Sequence, residues 1–304
     1  MRNKLLVICG QTGTGKTSLA IYLAKKFNGE LISADSRQVY KGLDIGTGKD
    51  LKEIEKSKIK IWGYDLVEPK KNFSVGNYIR FAQKVINDIQ KRDKLPILVG
   101  GTGLFTKGVT DGIPTAFVPR NLKLRKNLEE KDVNELFEIL AQLDPIKAGS
   151  LNRSDKFNPR RLIRGIEVAA WSLERKAPRL FKKPKYELLE IGLQASQDNL
   201  SQKIEKRVDK RIKGGVEEEI KDLISSGISW DSQSMTSLGY RQWRGYFESK
   251  ITKGEVIDNW KKEELRYAKR QLTWFKKDVR INWFDSSKKN FIKNVEKLVK
   301  KWYP

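Results

Sequence analysis

The chain has 304 residues, a third of them charged, with 62 Lys and Arg against 38 Asp and Glu and a formal charge of +24. No apolar run approaches the ~20 residues of a membrane-spanning helix. The single cysteine, Cys9, excludes an intramolecular disulfide and argues against a zinc cluster, and the absence of histidine leaves carboxylates, lysines, tyrosines or water as general bases.

In chain order, residues 4–9 predict a buried strand that leads straight into a glycine-rich loop. No cleaved targeting segment is expected ahead of that start, and the single cysteine fits a reducing cytoplasm. Residues 16–27 predict a helix with Leu19, Leu23 and Phe27 on one face. Residues 30–34 and 60–67 read as a second and a third strand. Residues 75–90 carry Ile79, Ala82, Val85, Ile86 and Ile89 at helical spacing, and 95–99 form an apolar strand closed by Gly100-Gly101. Strands alternating with helices imply a parallel sheet with right-handed crossovers.

Beyond Gly112 the pattern changes. Pro114 and Pro119 mark a break, helices dominate from Arg120 to about Arg175, and Ala177-Pro178 and Lys183-Pro184 mark another break. Residues 186–194 return to a strand. Long basic helices, a short strand near 281–284 and a final helix from about Lys288 follow. The expected architecture is a P-loop NTPase-like parallel α/β sheet flanked by helices. Its core comprises 1–112 and 185–304, and 113–184 form an inserted all-helical domain.

Gly10-Gln11-Thr12-Gly13-Thr14-Gly15-Lys16-Thr17 satisfies G-x-x-x-x-G-K-[ST] at every fixed position, after a strand and before a helix. In such a loop, backbone N–H groups converge on phosphate oxygens, the helix N-terminus adds positive potential and the lysine adds a point charge. The Thr17 hydroxyl can ligate Mg²⁺. The loop specifies phosphate rather than ATP hydrolysis. An ordinary P-loop NTPase also ends an apolar strand in a carboxylate, whereas 95–99 end in Gly100-Gly101-Thr102. A carboxylate does follow the second strand, at Asp35. The C-terminal ends of parallel strands share one edge, so Asp35, Thr102 and the loop should face one crevice. Asp35 is then either a turn residue or a general base.

These residues, with the blocks Asp35–Thr47 and Gly100–Phe105, resemble the tRNA dimethylallyltransferases. Asn158-Pro159-Arg160-Arg161-Leu162-Ile163-Arg164, Leu238-Gly239-Tyr240-Arg241-Gln242 and Lys269-Arg270-Gln271-Leu272-Thr273-Trp274-Phe275 extend the similarity, in the family's order, over about residues 4–280. Two stretches depart from the family's pattern. Ile61-Trp62-Gly63-Tyr64-Asp65-Leu66 stands where a His-His-Leu-Ile-Asp stretch is usual, and the loop more often begins Gly-Pro-Thr.

The resemblance implies transfer of a dimethylallyl group from dimethylallyl diphosphate to N6 of the adenosine just 3′ of the anticodon of a tRNA. It implies Asp35 as the base at the target adenine, Thr102 as support for Asp35 or for that adenine of the tRNA, and Arg207 with Gly10–Thr17 on the diphosphate. It also implies tRNA contacts by Ser36, Arg37, Gln38, Arg125, Arg160, Arg161, Arg164, Arg241, Gln242, Lys269, Arg270, Gln271 and Trp274. Lys49 is either a further diphosphate contact or a surface lysine. Trp274 is either a stacking platform or core. The charge agrees with RNA, since Lys and Arg outnumber Asp and Glu eleven to three between Arg153 and Lys185. A monomer is expected. A small-molecule kinase and a non-catalytic P-loop RNA-binding protein remain as alternatives.

Overall fold

A computed structural model describes residues 3–174 and 186–304. The breaks at Ala177-Pro178 and Lys183-Pro184 lie outside them, as do the basic residues 175, 176, 179, 182, 183 and 185. The chain divides into two compact units, Met1–Asp111 with Pro184–Pro304, and Gly112–Lys183.

The first unit is built on six parallel strands: β1 (Lys4–Gly10), β2 (Gly29–Ser33), β3 (Ile61–Trp62), β4 (Leu95–Val99), β5 (Glu187–Gln194) and β6 (Asn282–Asp285). Their order across the sheet is β3-β2-β4-β1-β5-β6. Each pairing is parallel, for example Leu6 with Ile97 and with Leu189.

Period-two alternation sends the side chains of one strand to opposite faces. On β1, Leu6 and Ile8 pack with Leu19 and Leu23 of helix Lys16–Lys26 and with Val295 and Val299 of helix Phe291–Trp302. Leu5, Val7 and Cys9 pack on the other face, with helices Val75–Lys91, Gly103–Thr110, Gln197–Lys213 and Lys253–Phe275. Burying each such Leu or Ile is worth roughly 1.5–3 kcal/mol. This two-sided burial is why the central strands read as continuous apolar runs. The helix expected over 75–90 runs Val75–Lys91, and Ile79, Ala82, Val85, Ile86 and Ile89 are all buried. It begins where Ser74 accepts from Asn77 N at 3.1 Å.

Boundaries differ from expectation in places. The strand expected over 60–67 is only Ile61–Trp62, because Gly63 (φ 98°) and Asp65 (φ 56°) leave the extended region. An isolated bridge, Tyr40 with Val67, resumes the pairing. The last of the long basic helices ends at Phe275, short of the strand expected near 281–284, and Val279 between them is 96% exposed. Helix Leu51–Ser57 was not anticipated; it has no buried residue and so no apolar face to announce it.

The second unit, over its described residues, is helical. Helices Leu122–Glu129, Val133–Leu143 and Pro159–Glu174 enclose Leu128, Leu136, Leu140, Leu162, Ile163 and Ile166. Asp132 and Glu135 cap the middle helix reciprocally. Among the described residues no helix is long and apolar enough to cross a membrane.

Candidate active site

The loop Gly10–Thr17 leaves β1 at a glycine that cannot be replaced. Gly10 has φ 122°, and a Cβ there would lie 2.1 Å from the Leu193 carbonyl oxygen. Helix Lys16–Lys26 then begins at Gly15 with no side-chain cap, so its first-turn amides open toward the crevice. Lys16 Nζ donates back to Gln11 O at 2.7 Å, and Thr14 Oγ1 donates to the same oxygen at 2.7 Å. Gln11 Oε1 accepts from Ala195 N at 3.2 Å. Burial, reinforced by Arg207 nearby, lowers the Lys16 ammonium to about 8.

Two adjoining cavities of ≈ 380 and ≈ 430 Å³ open at the C-terminal edge of the strands. The first is lined by the phosphate loop, with Lys16 and Thr17. The second is lined by Ser36, Arg37, Thr102, Arg241, Arg270 and Trp274. Thr12, Asp35, Gly101, Arg207, Tyr267 and Gln271 line both, so the two meet beside the Asp35 carboxylate. Asp35 and Lys16 therefore face the same crevice.

Asp35 follows β2. Its Oδ1 accepts from Arg37 N at 2.8 Å, an Asx turn that fixes the carboxylate at the strand end. Thr102 Oγ1 accepts from Ser36 N at 3.1 Å and ties the end of β4 to this turn. Tyr267 is kept protonated by burial and by the charge of Asp35, both of which raise its pKa. Gln271 is 5% exposed and clamps two loops: Oε1 accepts from Thr12 N at 2.7 Å, and Nε2 donates to Gly101 O at 3.0 Å. Its amide is spent on backbone groups, and one loop N–H, that of Thr12, is spent on the Gln271 side chain. Arg207 Nη1 donates to Thr12 Oγ1.

Other residues of the anticipated site are anchored locally. Arg37 Nη1 donates to Gln233 O at 2.6 Å, and Gln38 links Ser33 Oγ to Gly48 O. Gln242 Oε1 accepts from Gly239 N, while Arg241 pairs with Glu263 at 2.7 Å. Lys269 is exposed, and Trp274, at 42% exposure, lies on the wall of the second cavity rather than in the core. Lys49 is neither a crevice cation nor a surface lysine. Its side chain is fully buried between Asp44 (2.6 Å) and Asp65 (2.5 Å) and also donates to Tyr40 O.

The anticipated arginines of the helical unit divide. Arg125 grips buried Glu167 through Nε and Nη2 at 2.7 and 2.6 Å. Arg164 Nη1 reaches the same carboxylate at 3.1 Å, and its Nη2 donates to Thr115 O and Val118 O. Arg161 pairs with Asp155. Arg160 is exposed, with no ion-pair partner among the described residues.

Asp50, Glu53, Arg211 and Glu264 line the cavities without having been singled out from the sequence. The four-residue step from Arg207 to Arg211 on one helix was the available signal. Thr17 with the carboxylates of Asp35, Asp50 and Glu53 is a sparse oxygen set. No cluster of three or more His, Cys, Asp or Glu among the described residues could cage an ion by itself. Such a set fits Mg²⁺, which keeps several waters and takes one or two carboxylates plus substrate phosphate oxygens.

The parallel sheet, the strand–loop–helix and the crevice at the strand ends define a P-loop-type α/β protein. The model of the IPP transferase family matches residues 38–278. A tRNA dimethylallyltransferase of Carboxydothermus hydrogenoformans is 40% identical, over 98% of this chain and 97% of that protein. Among solved structures, the tRNA isopentenylpyrophosphate transferase of Bacillus halodurans aligns with 99% of this chain and 96% of its own, at 35% identity and a TM-score of 0.74. A eukaryotic dimethylallyltransferase acting on tRNA aligns with 97% of this chain and 78% of its own, at 25% identity and a TM-score of 0.79. The chain belongs to the IPP transferase family.

Proposed function

We infer that this protein transfers the dimethylallyl group of dimethylallyl diphosphate to N6 of the adenosine 3′-adjacent to the anticodon in tRNA, releasing diphosphate. The observation that carries this reading is the meeting of a phosphate-loop cavity with a second cavity beside one carboxylate, Asp35. The donor occupies the first cavity and the splayed-out adenine the second.

The adenine amine is a weak nucleophile because its lone pair is delocalised into the ring. Asp35 takes one N6 proton as the N6–C bond forms, a contribution of typically 10²–10⁴-fold. The allylic C–O bond breaks, and its electron pair leaves with diphosphate. The open amides of the Lys16 helix, the Lys16 ammonium and the Arg207 guanidinium meet that charge with preorganised donors. Thr17, with Asp50 or Glu53, would hold Mg²⁺, which would supply neutralisation of the diphosphate charge. Thr102 and Tyr267 hold the wall around Asp35, and Trp274, Arg270 and Arg241 offer stacking and cationic surface to the RNA. A flipped nucleotide costs a few kcal/mol, less from a loop than from a duplex.

The helical unit contributes phosphate contacts through exposed cations such as Arg160. A single cysteine, buried and unpaired, suits the cytoplasm. The test incubates purified protein, Mg²⁺, labelled dimethylallyl diphosphate and bulk tRNA, followed by nuclease digestion. Labelled N6-prenyladenosine is expected. Phosphate transfer from ATP to a small molecule, without prenyl transfer, would replace this reading with a kinase.

A further inference from the structure

A second guanidinium stands behind Arg207. Arg211 lies one turn further along helix Gln197–Lys213, is 6% exposed and lines the cavity that takes the adenine. Its Nη1 donates to Glu264 Oε1 at 2.8 Å, and Glu264, 4% exposed, also accepts from Trp260 Nε1 at 3.2 Å. The Arg211 guanidinium lies over the Trp260 ring, 5.7 Å from its centroid, and its buried Nε has no partner. Both arginines press on one glycine. A Cβ at Gly48, where φ is 67°, would come within 2.3 Å of Arg211 Nη2 and 2.8 Å of Arg207 Nη2.

An isolated buried guanidinium beside another would be expelled by desolvation and by like-charge repulsion. Glu264 removes that conflict for Arg211 alone. Arg207, next to the pair, is then wedged between Gly48 and Arg211 and directed at Thr12 of the phosphate loop. Among the described residues no carboxylate forms an ion pair with Arg207 itself, so its charge stays available to an incoming anion.

We propose that Arg211 and Glu264 form a buried positioning pair that holds Arg207 against the phosphate loop and so sets affinity for the donor's diphosphate. The proposal rests on the reading of the first cavity as the donor site. Arg211 acts through Arg207 and touches no reacting atom.

The test uses the double variant Arg211→Met/Glu264→Gln, which removes both charges together. Replacing a buried ion pair by neutral groups of similar volume is often tolerated, whereas removing one partner strands a charge. The glutamine can still accept from Trp260. Binding of inorganic pyrophosphate with Mg²⁺ is measured by calorimetry, alongside donor KM, tRNA KM and the thermal midpoint. Pyrophosphate affinity is expected to fall and donor KM to rise on the order of tenfold, from a misplaced binding group. The tRNA KM should rise less than the donor KM, and the thermal midpoint should be near wild type.

The same exchange is then made in an Arg207→Ala background. There it should cost almost nothing further, because the pair has lost the residue it positions. Equal losses in both backgrounds would overturn the proposal, as would unchanged pyrophosphate affinity in the double variant. A double variant that does not fold would overturn it too, by making the pair a structural one. Wild-type protein that binds neither pyrophosphate nor donor would overturn both this inference and the reading beneath it. Gly48→Ala gives an independent check, with the same donor-side loss expected from a crowded Arg207.

Discussion

The core crevice and the helical unit each bring two arginines toward one buried glutamate, with opposite results. In the helical unit, Arg125 and Arg164 both end on Glu167, and Arg164 also serves the turn at Thr115 and Val118. The charges of that cluster are spent on holding the unit together. In the crevice, Glu264 engages Arg211 only, while Arg207 reaches the phosphate loop. A basic count therefore says little about where an anion binds; the number of buried acids per arginine says more.

The largest expected effect tests whether chemistry in the crevice depends on an acid that these cations do not replace. Asp35→Asn keeps the shape of the Asx turn and leaves Lys16, Arg207 and Thr12 in place. We expect kcat to fall about 10²–10⁴-fold, with binding of tRNA and donor retained. Single-turnover prenyl transfer, with filter binding of tRNA, measures both. Activity near wild type would remove Asp35 as the base and shift weight to water in the second cavity.

The helical unit should break at its own glutamate. Glu167→Ala strands two guanidiniums, one of them bidentate, and should cost about 3 kcal/mol. Denaturant unfolding of the full chain reads this. The pH dependence has a definite sign. Burial alone would raise the pKa of Glu167, but Arg125, Asn121 N and Arg164 outweigh it and leave the pKa below the ordinary glutamate value. The carboxylate thus contributes stability that is complete above the unfolded-state pKa and is lost as the pH falls through the folded value. An acid-side loss that persists unchanged in Glu167→Gln would assign it to another group.

Much of this contrast was illegible in the sequence, for a physical reason. The loop at Gly10–Thr17 and the carboxylate at Asp35 were readable because local sequence dictates their geometry: a strand, a tight turn, a helix N-terminus. The sheet was readable because two-sided burial demands apolar runs. The fates of the cations were not. Arg160, Arg161 and Arg164 look alike in one basic helix, yet one is exposed, one pairs with Asp155 and one turns onto Glu167. Lys49 looked like a surface or crevice charge, and it became buried because Asp44 and Asp65 converge on it from a loop. Arg164 with Glu167 is a local i,i+3 pair, but Asp65 lies 16 residues from Lys49 and Glu167 lies 42 from Arg125, and contacts at such separations carry no local pattern.

On the donor side the comparison can be sharpened by pH. Lys16 has its pKa pulled below the ordinary lysine value, to about 8, so its ammonium is lost as the pH rises through that value. A diphosphate favours the charged form, so donor affinity should fall by up to about tenfold per pH unit above it. Donor KM measured from pH 7 to 10 gives the profile, and Lys16→Met should flatten it. No acid-side counterpart is expected from this group, because below pH 8 it is already charged.

The smallest effect separates two neighbours on helix Pro159–Glu174. Arg160 is exposed without an ion-pair partner among the described residues, whereas Arg164 is committed to Glu167 and two carbonyls. If Arg160 contacts an RNA phosphate, Arg160→Gln removes one counterion-releasing charge. The slope of log affinity against log salt should then fall by roughly 0.7–0.9, with no change in unfolding. Arg164→Gln should do the reverse: weaken the helical unit and leave the slope as it was, because its charge is already neutralised from within. Titration of both variants with tRNA at several salt concentrations, beside their denaturation curves, decides between them. Equal slope changes would mean that RNA can pull Arg164 away from Glu167, and the two regions would then differ in degree rather than in kind.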